Sequence, residues 1–379
     1  MEFDAGKAAV ELPLVMLGNG NEPGLPCVEL AIDSQPALFL LDTGFNAIAL
    51  RREFAQQLGL EQRGFDFAAG LGGSNKVPLF RGPAVDWPGA HLRVPLYYGL
   101  DLSRFGAGRG RTMSGILGGM FFARCVVTID YARGRVVVSD QETWQPPAGV
   151  EPTPLEFRIG QPELRGSIDG GPTARYVLDT GAEFPLTLNA PFVERHLERD
   201  RAQLVATRVM GLGGLVPCWF ATLARFEAAP LLCTDCPVIL MGKVEGFDFG
   251  DDNLRAGLIG SGMLVGHCVT FDYARRRMFV TKGAQPAPAG PAGITVDFDA
   301  DQRGTVRHIV TLPGRPDVDL RSGDRIVAVA GEPLPETGAR FHALLRERAA
   351  TELTVERDGE RHTVVWQRID ALPRVRTMQ

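Results

Sequence analysis

Two Asp-Thr-Gly triplets each place a carboxylate inside an apolar run that is typical of a β-strand. The first is Asp42-Thr43-Gly44 in "ALFLLDTGFNAIAL", and the second is Asp179-Thr180-Gly181 in "ARYVLDTGAEFPLTL". A buried carboxylate costs several kcal/mol unless it is paired or hydrogen-bonded. Each aspartate therefore needs a partner, and the other triplet is the natural source of one.

Two facing carboxylates have a well-defined chemistry. At a separation of about 3 Å they cannot both ionise, so they share one proton. One oxygen can then take a proton from a bound water while another protonates the carbonyl that the water attacks. This reaction needs no metal ion and no cofactor, and none is expected.

The other two residues of each triplet are expected to support the loop. Gly44 and Gly181 would allow the sharp turn that presents each carboxylate, because glycine tolerates strained backbone angles. Thr43 and Thr180 would tie the two loops together through hydrogen bonds from hydroxyl to backbone.

The triplets belong to an internal repeat. Four blocks recur in the same order, 137 to 142 residues apart: "LDTG", "GLGG", "SGILGG" answered by "AGLIGS", and "VTIDYARGRVVV" answered by "VTFDYARRRMFV". The conserved order indicates two copies of one fold, which we assign to residues 1–147 and 148–282. Related copies tend to pack about a pseudo-twofold axis, which would bring Asp42 and Asp179 face to face.

Short apolar or alternating runs between Gly-rich turns predict β-strands throughout both copies. One short helix is predicted in each copy, in "RREFAQQLGL" and in "NAPFVERHLERD". The predicted fold class is therefore all-β, with two lobes about a pseudo-twofold axis. The "DYARGR" and "DYARRR" segments, which contain Asp130 and Asp272, are predicted to be hairpins with solvated arginines at their tips.

Asp-Thr-Gly in a β context, followed by Gly-Leu-Gly-Gly and then by an apolar-apolar-Gly block, resembles the retropepsin-like aspartic proteases over roughly residues 10–282. The retroviral members are homodimers, and this chain resembles a fused, monomeric version with a bilobal acid-protease barrel fold. The resemblance implies an aspartic endopeptidase that uses Asp42 and Asp179 on an extended polypeptide substrate.

The resemblance also implies two glycine-rich flaps that close over the substrate, for which ordinary hairpin turns are the alternative. The flap residues would be Gly70, Leu71, Gly72 and Gly73 in the first copy, and Gly211, Leu212, Gly213 and Gly214 in the second.

The first triplet departs from the family pattern at the next residue. A small residue usually follows the glycine, and Ala182 fits this pattern whereas Phe45 does not. The ring of Phe45 could shape a pocket or block one. One alternative is therefore a catalytically impaired protein that binds peptides through the flap cleft and the C-terminal domain. Another is a peptidase that acts only on its own precursor or on one partner.

Residues 283–292, within "TKGAQPAPAGPAG", have the composition of a linker. Beyond them, "LRSGDRIVAVAGEPL", a helical "TGARFHALLRERAA" and a hairpin "TELTVERDGERHTVVW" resemble a small α+β PDZ-like domain over residues 293–372. The resemblance implies that a C-terminal peptide binds at a sheet edge near Ala292, Gly293 and Ile294. A PDZ-shaped packing module without a ligand is the alternative.

A net charge of −5 gives no reason to expect binding to nucleic acid or to a membrane. No apolar run reaches the roughly 18 residues that span a bilayer. The N-terminal residues lack the features of a signal peptide. A cytoplasmic location is expected if the chain is complete, and a periplasmic or exported one if a signal peptide has been removed.

The six cysteines are too few for a disulfide scaffold in a chain of 379 residues. Cys233 and Cys236 in "CTDC" could form a zinc half-site, a redox pair or a disulfide, and the favoured interpretation is incidental loop thiols.

Overall fold

The computed structural model describes residues 1–18, 24–103, 111–198, 204–243, 255–283, 294–298, 304–309, 318–335, 338–368 and 374–377. Strands dominate these residues and the helices are few and short, which confirms the all-β fold class. None of the helices in the described ranges has the length and apolar character needed to cross a membrane.

The first copy begins with short strands and carries a long hairpin in its middle. Its elements are, in chain order, β1 (Glu2–Phe3), β2 (Ala9–Pro13), β3 (Val15–Leu17), β4 (Leu25–Ile32), β5 (Gln35–Leu41), β6 (Ile48–Arg51), α1 (Arg52–Gln57), β7 (Glu61–Gly70), β8 (Gly73–Arg81), β9 (Val85–Trp87), β10 (Ala90–Leu92), β11 (Tyr97–Leu100), β12 (Gly115–Leu117), α2 (Gly119–Phe122), β13 (Val126–Asp130) and β14 (Arg135–Ser139).

The second copy repeats this succession. Its elements are β15 (Thr153–Pro154), β16 (Glu156–Arg158), β17 (Gln161–Ile168), β18 (Ala174–Asp179), β19 (Leu186–Leu188), α3 (Ala190–His196), β20 (Leu197–Glu198), β21 (Val205–Gly211), β22 (Gly214–Ala228), β23 (Leu231–Met241), β24 (Arg255–Gly260), a short 3-10 helix (Ser261–Met263), β25 (Cys268–Asp272) and β26 (Arg277–Thr281).

The C-terminal region forms one further sheet with one helix packed against it. Its elements are β27 (Ile294–Phe298), β28 (Gly304–Ile309), β29 (Arg325–Val329), β30 (Glu332–Pro333), α4 (Gly338–Glu347), β31 (Ala350–Arg357), β32 (Glu360–Gln367) and, after these, β33 (Arg376–Thr377).

The two copies share one strand order around the triplets. The order is β4-β5-β12-β6-β11-β8-β7 in the first copy and β17-β18-β24-β19-β23-β22-β21 in the second. The triplet strands β5 and β18 pair in parallel with β12 and β24, which carry the apolar-apolar-Gly blocks. The repeat in the sequence is therefore also a repeat in the fold.

A six-stranded sheet joins the copies. Its order is β15-β26-β25-β13-β14-β2, so three strands of the second copy lie beside three strands of the first and the copies meet where β25 pairs with β13. Thr128 of β13 lies directly opposite its equivalent, Thr270 of β25, and their hydroxyl oxygens are 2.8 Å apart. Because equivalent residues face each other there, the pseudo-twofold axis passes between these two threonines.

The hairpins of this sheet carry buried acidic residues at the ends of β13 and β25. Asp130 and Asp272 are 1% and 0% exposed. The arginines that were expected to be solvated keep part of their surface exposed, and they also form ion pairs with these carboxylates: Arg133, Arg135, Arg275 and Arg277.

One apolar core runs through both copies, and it includes Phe122 of the first and Phe271 of the second. The C-terminal sheet has a core of its own around Phe341 of α4. The last described segment returns to the first core, because Val375 is 3% exposed there and β33 pairs with β20. The domain boundaries at residues 147 and 282 stay predictions.

Candidate active site

Each triplet begins where a strand ends beside a parallel neighbour. Asp42 follows β5, and its N–H donates to the carbonyl of Leu117 at 3.1 Å. Asp179 is the last residue of β18, where it pairs with Gly260 of β24. Since β12 and β24 hold the two loops at equivalent places in the two copies, both aspartates are brought to the pseudo-twofold axis.

The carboxyl groups of Asp42 and Asp179 interact directly, and each lies against the glycine of the opposite triplet. Each also accepts from its own loop: Gly44 N–H and Phe45 N–H donate to Asp42 Oδ1 at 2.8 and 3.0 Å, and Gly181 N–H donates to Asp179 Oδ1 at 2.9 Å. Such donors favour the ionised form of a carboxyl group.

Burial raises the pKa of both carboxyls above the usual value for aspartate, and the neighbouring charge of Asp179 raises the pKa of Asp42 further. The backbone donors act in the opposite direction on both groups. The pair is therefore set up to hold one proton at a pH where isolated aspartates would have lost theirs.

Gly44 and Gly181 are required for a reason other than the expected one. A Cβ at Gly44 would overlap the carboxyl group of Asp179, and a Cβ at Gly181 would meet the carboxyl group of Asp42. Neither glycine has a positive φ. The expectation that they relieve a strained turn is wrong, since what they provide is space for the opposite carboxylate.

Thr43 and Thr180 bind each other's loops reciprocally. Thr43 Oγ1 donates to the carbonyl of Leu178, and Thr180 Oγ1 donates to the carbonyl of Leu41, both at 2.6 Å. Each threonine N–H donates to the hydroxyl of the other at 3.0 Å. Both side chains are fully buried, so this set of bonds holds the two carboxylates at a fixed separation.

The glycine-rich segments form the turns of two long hairpins, with Leu71 and Gly72 at one tip and Leu212 and Gly213 at the other. The tips touch through the backbone, because Gly213 N–H donates to the carbonyl of Leu71 at 2.9 Å. Asn75 Nδ2 of the first hairpin donates to the carbonyl of Leu212 at 2.7 Å.

Close backbone contact between the tips explains several of the glycines. A Cβ at Gly211 or Gly213 would overlap the backbone of the other tip, and a Cβ at Gly70 would press on Leu212. Gly72, Gly73 and Gly214 have φ values of +87°, +139° and +128°, which disfavour other residues.

The side chains at the tips cross over to the opposite copy. Leu212 packs against the first apolar cluster, which consists of first-copy residues: Leu17, Leu25, Cys27, Leu38, Leu40, Ala49, Ala68, Val77, Leu100, Leu102, Met113 and Ile116. Leu71 packs against the second apolar cluster, which consists of second-copy residues: Phe184, Val205, Val216, Cys218, Phe220, Ile239 and Met241.

Each apolar cluster receives a phenyl ring from the adjacent triplet loop. Phe45 packs on the first cluster and meets Tyr98 edge to face, with ring centroids 6.2 Å apart. Phe184 belongs to the second cluster and stacks on Phe220 at 5.1 Å. The Phe45 side chain therefore lies on the first cluster and not between the two carboxyls.

Sequence reasoning missed a polar contact that reaches the first loop from the second copy. Gln161 donates to the carbonyl of Gly44, and Arg255 binds both Gln161 and Glu163. Asn46 donates to the carbonyl of Ile159 in the same hairpin. Residue-by-residue comparison of the two copies could have revealed Gln161, Glu163 and Arg255, because the first copy has apolar residues at the corresponding places.

Two predicted peptide-binding residues of the C-terminal domain, Ala292 and Gly293, lie outside the described residues, as does most of the predicted linker. Ile294 is fully buried at the start of β27, and its carbonyl lies 3.1 Å from Nε2 of His342. The peptide-binding role of this region stays a prediction.

Cys233 and Cys236 lie in β23 and are buried, so their placement in a loop was wrong. Both are free thiols, which donate to the carbonyls of Thr234 and Pro237, and they lie close enough that each shifts the pKa of the other. No cluster of three or more His, Cys, Asp or Glu side chains able to hold a metal ion occurs within the described ranges.

Residues 28–121 match the family described as aspartyl protease, a range that includes Asp42 and the first glycine-rich hairpin turn. No match was found among curated proteins. Among solved structures, the chain is similar to the crystal structure of basic 7S globulin from soybean, with 13% identity, a TM-score of 0.40, and coverage of 74% of this chain and 98% of that one. The family match supports a protease-like function.

Proposed function

We propose that this protein is an aspartic endopeptidase of the retropepsin-like type, in which Asp42 and Asp179 together activate one water molecule. The observation that carries the proposal is the close approach of two buried carboxyl groups on equivalent loops of the two copies, which the reciprocal threonine bonds hold together. The match of residues 28–121 to aspartyl proteases supports the same reaction class.

The reaction follows from one proton shared by two carboxyls. The ionised carboxyl takes a proton from the bound water, whose oxygen attacks the carbonyl carbon of the peptide bond. The protonated carboxyl gives its proton to the carbonyl oxygen, which yields a gem-diol. Proton transfer to the nitrogen then breaks the C–N bond and returns the pair to its state with one proton. Backbone N–H groups of Gly44, Phe45 and Gly181 support the ionised form.

The substrate is an extended polypeptide with apolar side chains next to the cut bond. The two apolar clusters that now hold Leu71 and Leu212 lie beneath the flap tips, on opposite sides of the pseudo-twofold axis. A substrate bound between the flap tips and the carboxylates would offer its own side chains to the same clusters, beside these leucines. Both aspartates belong to one chain, so a monomer is sufficient.

The C-terminal region is a PDZ-like domain, residues 293–372, that follows a linker at 283–292 and two lobes at 1–147 and 148–282. Its antiparallel sheet and the helix packed against it support this proposal. It would capture a C-terminal peptide near Ala292, Gly293 and Ile294 by adding a strand to a sheet edge.

The test is cleavage of a mixed peptide library by the full chain, read by mass spectrometry from about pH 4 to 7. The parent should cut, while Asp42→Asn and Asp179→Asn should each lose at least roughly a thousandfold in rate. If none of the three proteins cleaves any peptide, the proposal of a general peptidase is contradicted. That result would favour a protein that binds peptides, or a peptidase with one dedicated substrate.

A further inference from the structure

Gln161 lies at the start of β17 in the second copy, yet its side chain contacts the loop of the first aspartate. Its Nε2 donates to the carbonyl of Gly44 at 2.5 Å, and its Oε1 accepts from Arg255 Nη1 at 3.2 Å. A guanidinium only donates and a carbonyl only accepts. These two partners therefore fix the orientation of the Gln161 amide.

The Gly44 carbonyl belongs to the same peptide group as the N–H of Phe45. That N–H donates to Asp42 Oδ1 at 3.0 Å. A hydrogen bond accepted at the oxygen of a peptide group polarises its N–H and strengthens the bond that the N–H donates. Gln161 thus acts on the Asp42 carboxylate through one peptide group.

The other end of this chain of hydrogen bonds is a buried ion pair. Arg255 Nε donates to Glu163 Oε1 at 2.6 Å, and the two side chains are 8% and 1% exposed. A buried ion pair contributes little net stability, because well-packed apolar residues of similar size often stabilise the fold as much or more.

The first copy shows that this fold packs without the polar set. Strand register places Leu25 and Cys27 where the second copy has Gln161 and Glu163. The block alignment places Met113 at the position of Arg255. All three first-copy residues are buried in the first apolar cluster.

We propose that Gln161, anchored by the Arg255–Glu163 ion pair, is a positioning residue that orients and polarises the Gly44–Phe45 peptide toward the carboxylate of Asp42. The loop of Asp179 is held by a different contact, because Ser261 Oγ lies 3.0 Å from the carbonyl oxygens of both Gly24 and Ala182. The effect of Gln161 on catalysis rests on the proposed function, whereas its effect on the Asp42 carboxylate does not.

The groups that act on Asp42 come from three directions. Asp179 faces it from the other loop, and the buried phenol of Tyr273 lies within electrostatic reach of both carboxyls. The Arg255–Glu163 pair reaches it only through Gln161. Tyr273 and Asp179 are unchanged by a substitution at Gln161, so a change in the titration of the pair reports on the hydrogen bonds.

The experiment is NMR titration of the full chain labelled with [4-13C]aspartate, with Asp42→Asn and Asp179→Asn used for assignment. In Gln161→Leu, which copies the first-copy residue, the lower of the two apparent titrations of the pair should move up by on the order of half a pH unit. The acidic limb of kcat should move by the same amount, while KM stays within about twofold.

Two further variants make the result specific. Arg255→Met combined with Glu163→Leu retains Gln161 without its anchor and should give a smaller shift in the same direction. Asn46→Ala removes the neighbouring bond between the copies, to Ile159, and should leave the titration unchanged.

An unchanged titration in folded Gln161→Leu would overturn the inference, and so would an equal shift in Asn46→Ala. If the titration moves as expected while the parent cuts no peptide, the inference holds for the carboxylate and the proposed function fails.

Discussion

Leu71 and Leu212 each pack against the opposite copy, across the pseudo-twofold axis. Leu71 rises on the hairpin of the first copy and packs on second-copy residues, while Leu212 does the reverse. Their turns are also joined by the hydrogen bond from Gly213 N–H to the carbonyl of Leu71. The closed arrangement of the hairpins therefore depends on apolar contact between the copies as well as on backbone pairing.

The first prediction concerns these two leucines. Leu71→Ala or Leu212→Ala removes apolar contact worth on the order of 1 kcal/mol from the closed hairpins, because the side chains are only partly buried. We expect kcat/KM to fall roughly 5- to 20-fold for either variant, with a thermal midpoint close to that of the parent. Leu215→Ala is the matched control, since Leu215 is 57% exposed on β22 just beyond the tip. Equal losses at positions 71, 212 and 215 would contradict this role of the tips.

The second prediction concerns the reciprocal threonines. Thr43→Val and Thr180→Val each remove a hydroxyl that donates to a carbonyl and accepts from an N–H of the other loop, leaving buried groups unpaired. Each should lower the free energy of unfolding by roughly 2–4 kcal/mol. Thr43→Ser and Thr180→Ser keep the hydroxyl and should retain most of the stability and activity. Chemical denaturation would measure this, and valine variants as stable as the serine variants would contradict it.

The third prediction concerns stability as a function of pH. Burial and mutual repulsion raise the native pKa of the aspartate pair, so the folded protein binds protons that the unfolded chain releases above about pH 4. This contribution to stability is fully present below that pH and is lost as the pH rises through the native pKa values. Asp42→Asn should therefore gain stability over the parent at pH 7 and much less at pH 3.

Asp66 provides a control of opposite sign for the pH measurement. The hydroxyl of Tyr98 donates to its carboxylate at 2.6 Å and lowers the pKa of Asp66. Its contribution to stability is present at neutral pH and is lost as the pH falls through the native pKa. Denaturation midpoints of the parent and Asp42→Asn would be measured between pH 3 and 7. A stability difference that does not change with pH would contradict the third prediction.

The fourth prediction concerns the two phenyl rings. Phe45→Ala enlarges the space at the first apolar cluster, so cleavage should shift toward larger side chains on one side of the cut bond. Phe184→Ala should produce the corresponding shift on the other side. The peptide library would give both profiles. A shift on the same side of the cut bond in both variants would show that the two clusters do not flank the substrate in the manner proposed.

The repeat predicted which residues would meet, because equivalent positions about a twofold axis must face each other. This is why Asp42 and Asp179 could be paired from the sequence alone. The partnership of the two threonines was predictable on the same ground. The reason for Gly44 and Gly181 was not, since steric overlap with a side chain of the other copy depends on how closely the loops approach.

Other features depend on differences between the copies, which a search for similarity hides. Phe184 is an extra residue in the second loop, as the pairing of Gly118 with Ala47 and of Gly260 with Pro185 shows. The sequence therefore made Phe45 look like an isolated exception, when a second ring reaches the equivalent cluster from another position. Gln161 was overlooked for a similar reason, because a glutamine in an exposed-looking hairpin gives no local signal of its partner 117 residues away.

Val375 gives the C-terminal region a second point of attachment. The chain leaves the shared body after β26 and returns to it at β33, where the N–H of Val375 donates to the carbonyl of Thr222 at 3.0 Å. A single break between Thr281 and Ile294 would therefore not release the intervening domain, which would remain docked through the tail. The C-terminal domain is thus tethered to the two-copy body at both of its ends, and lengthening the linker alone would change its local concentration there little.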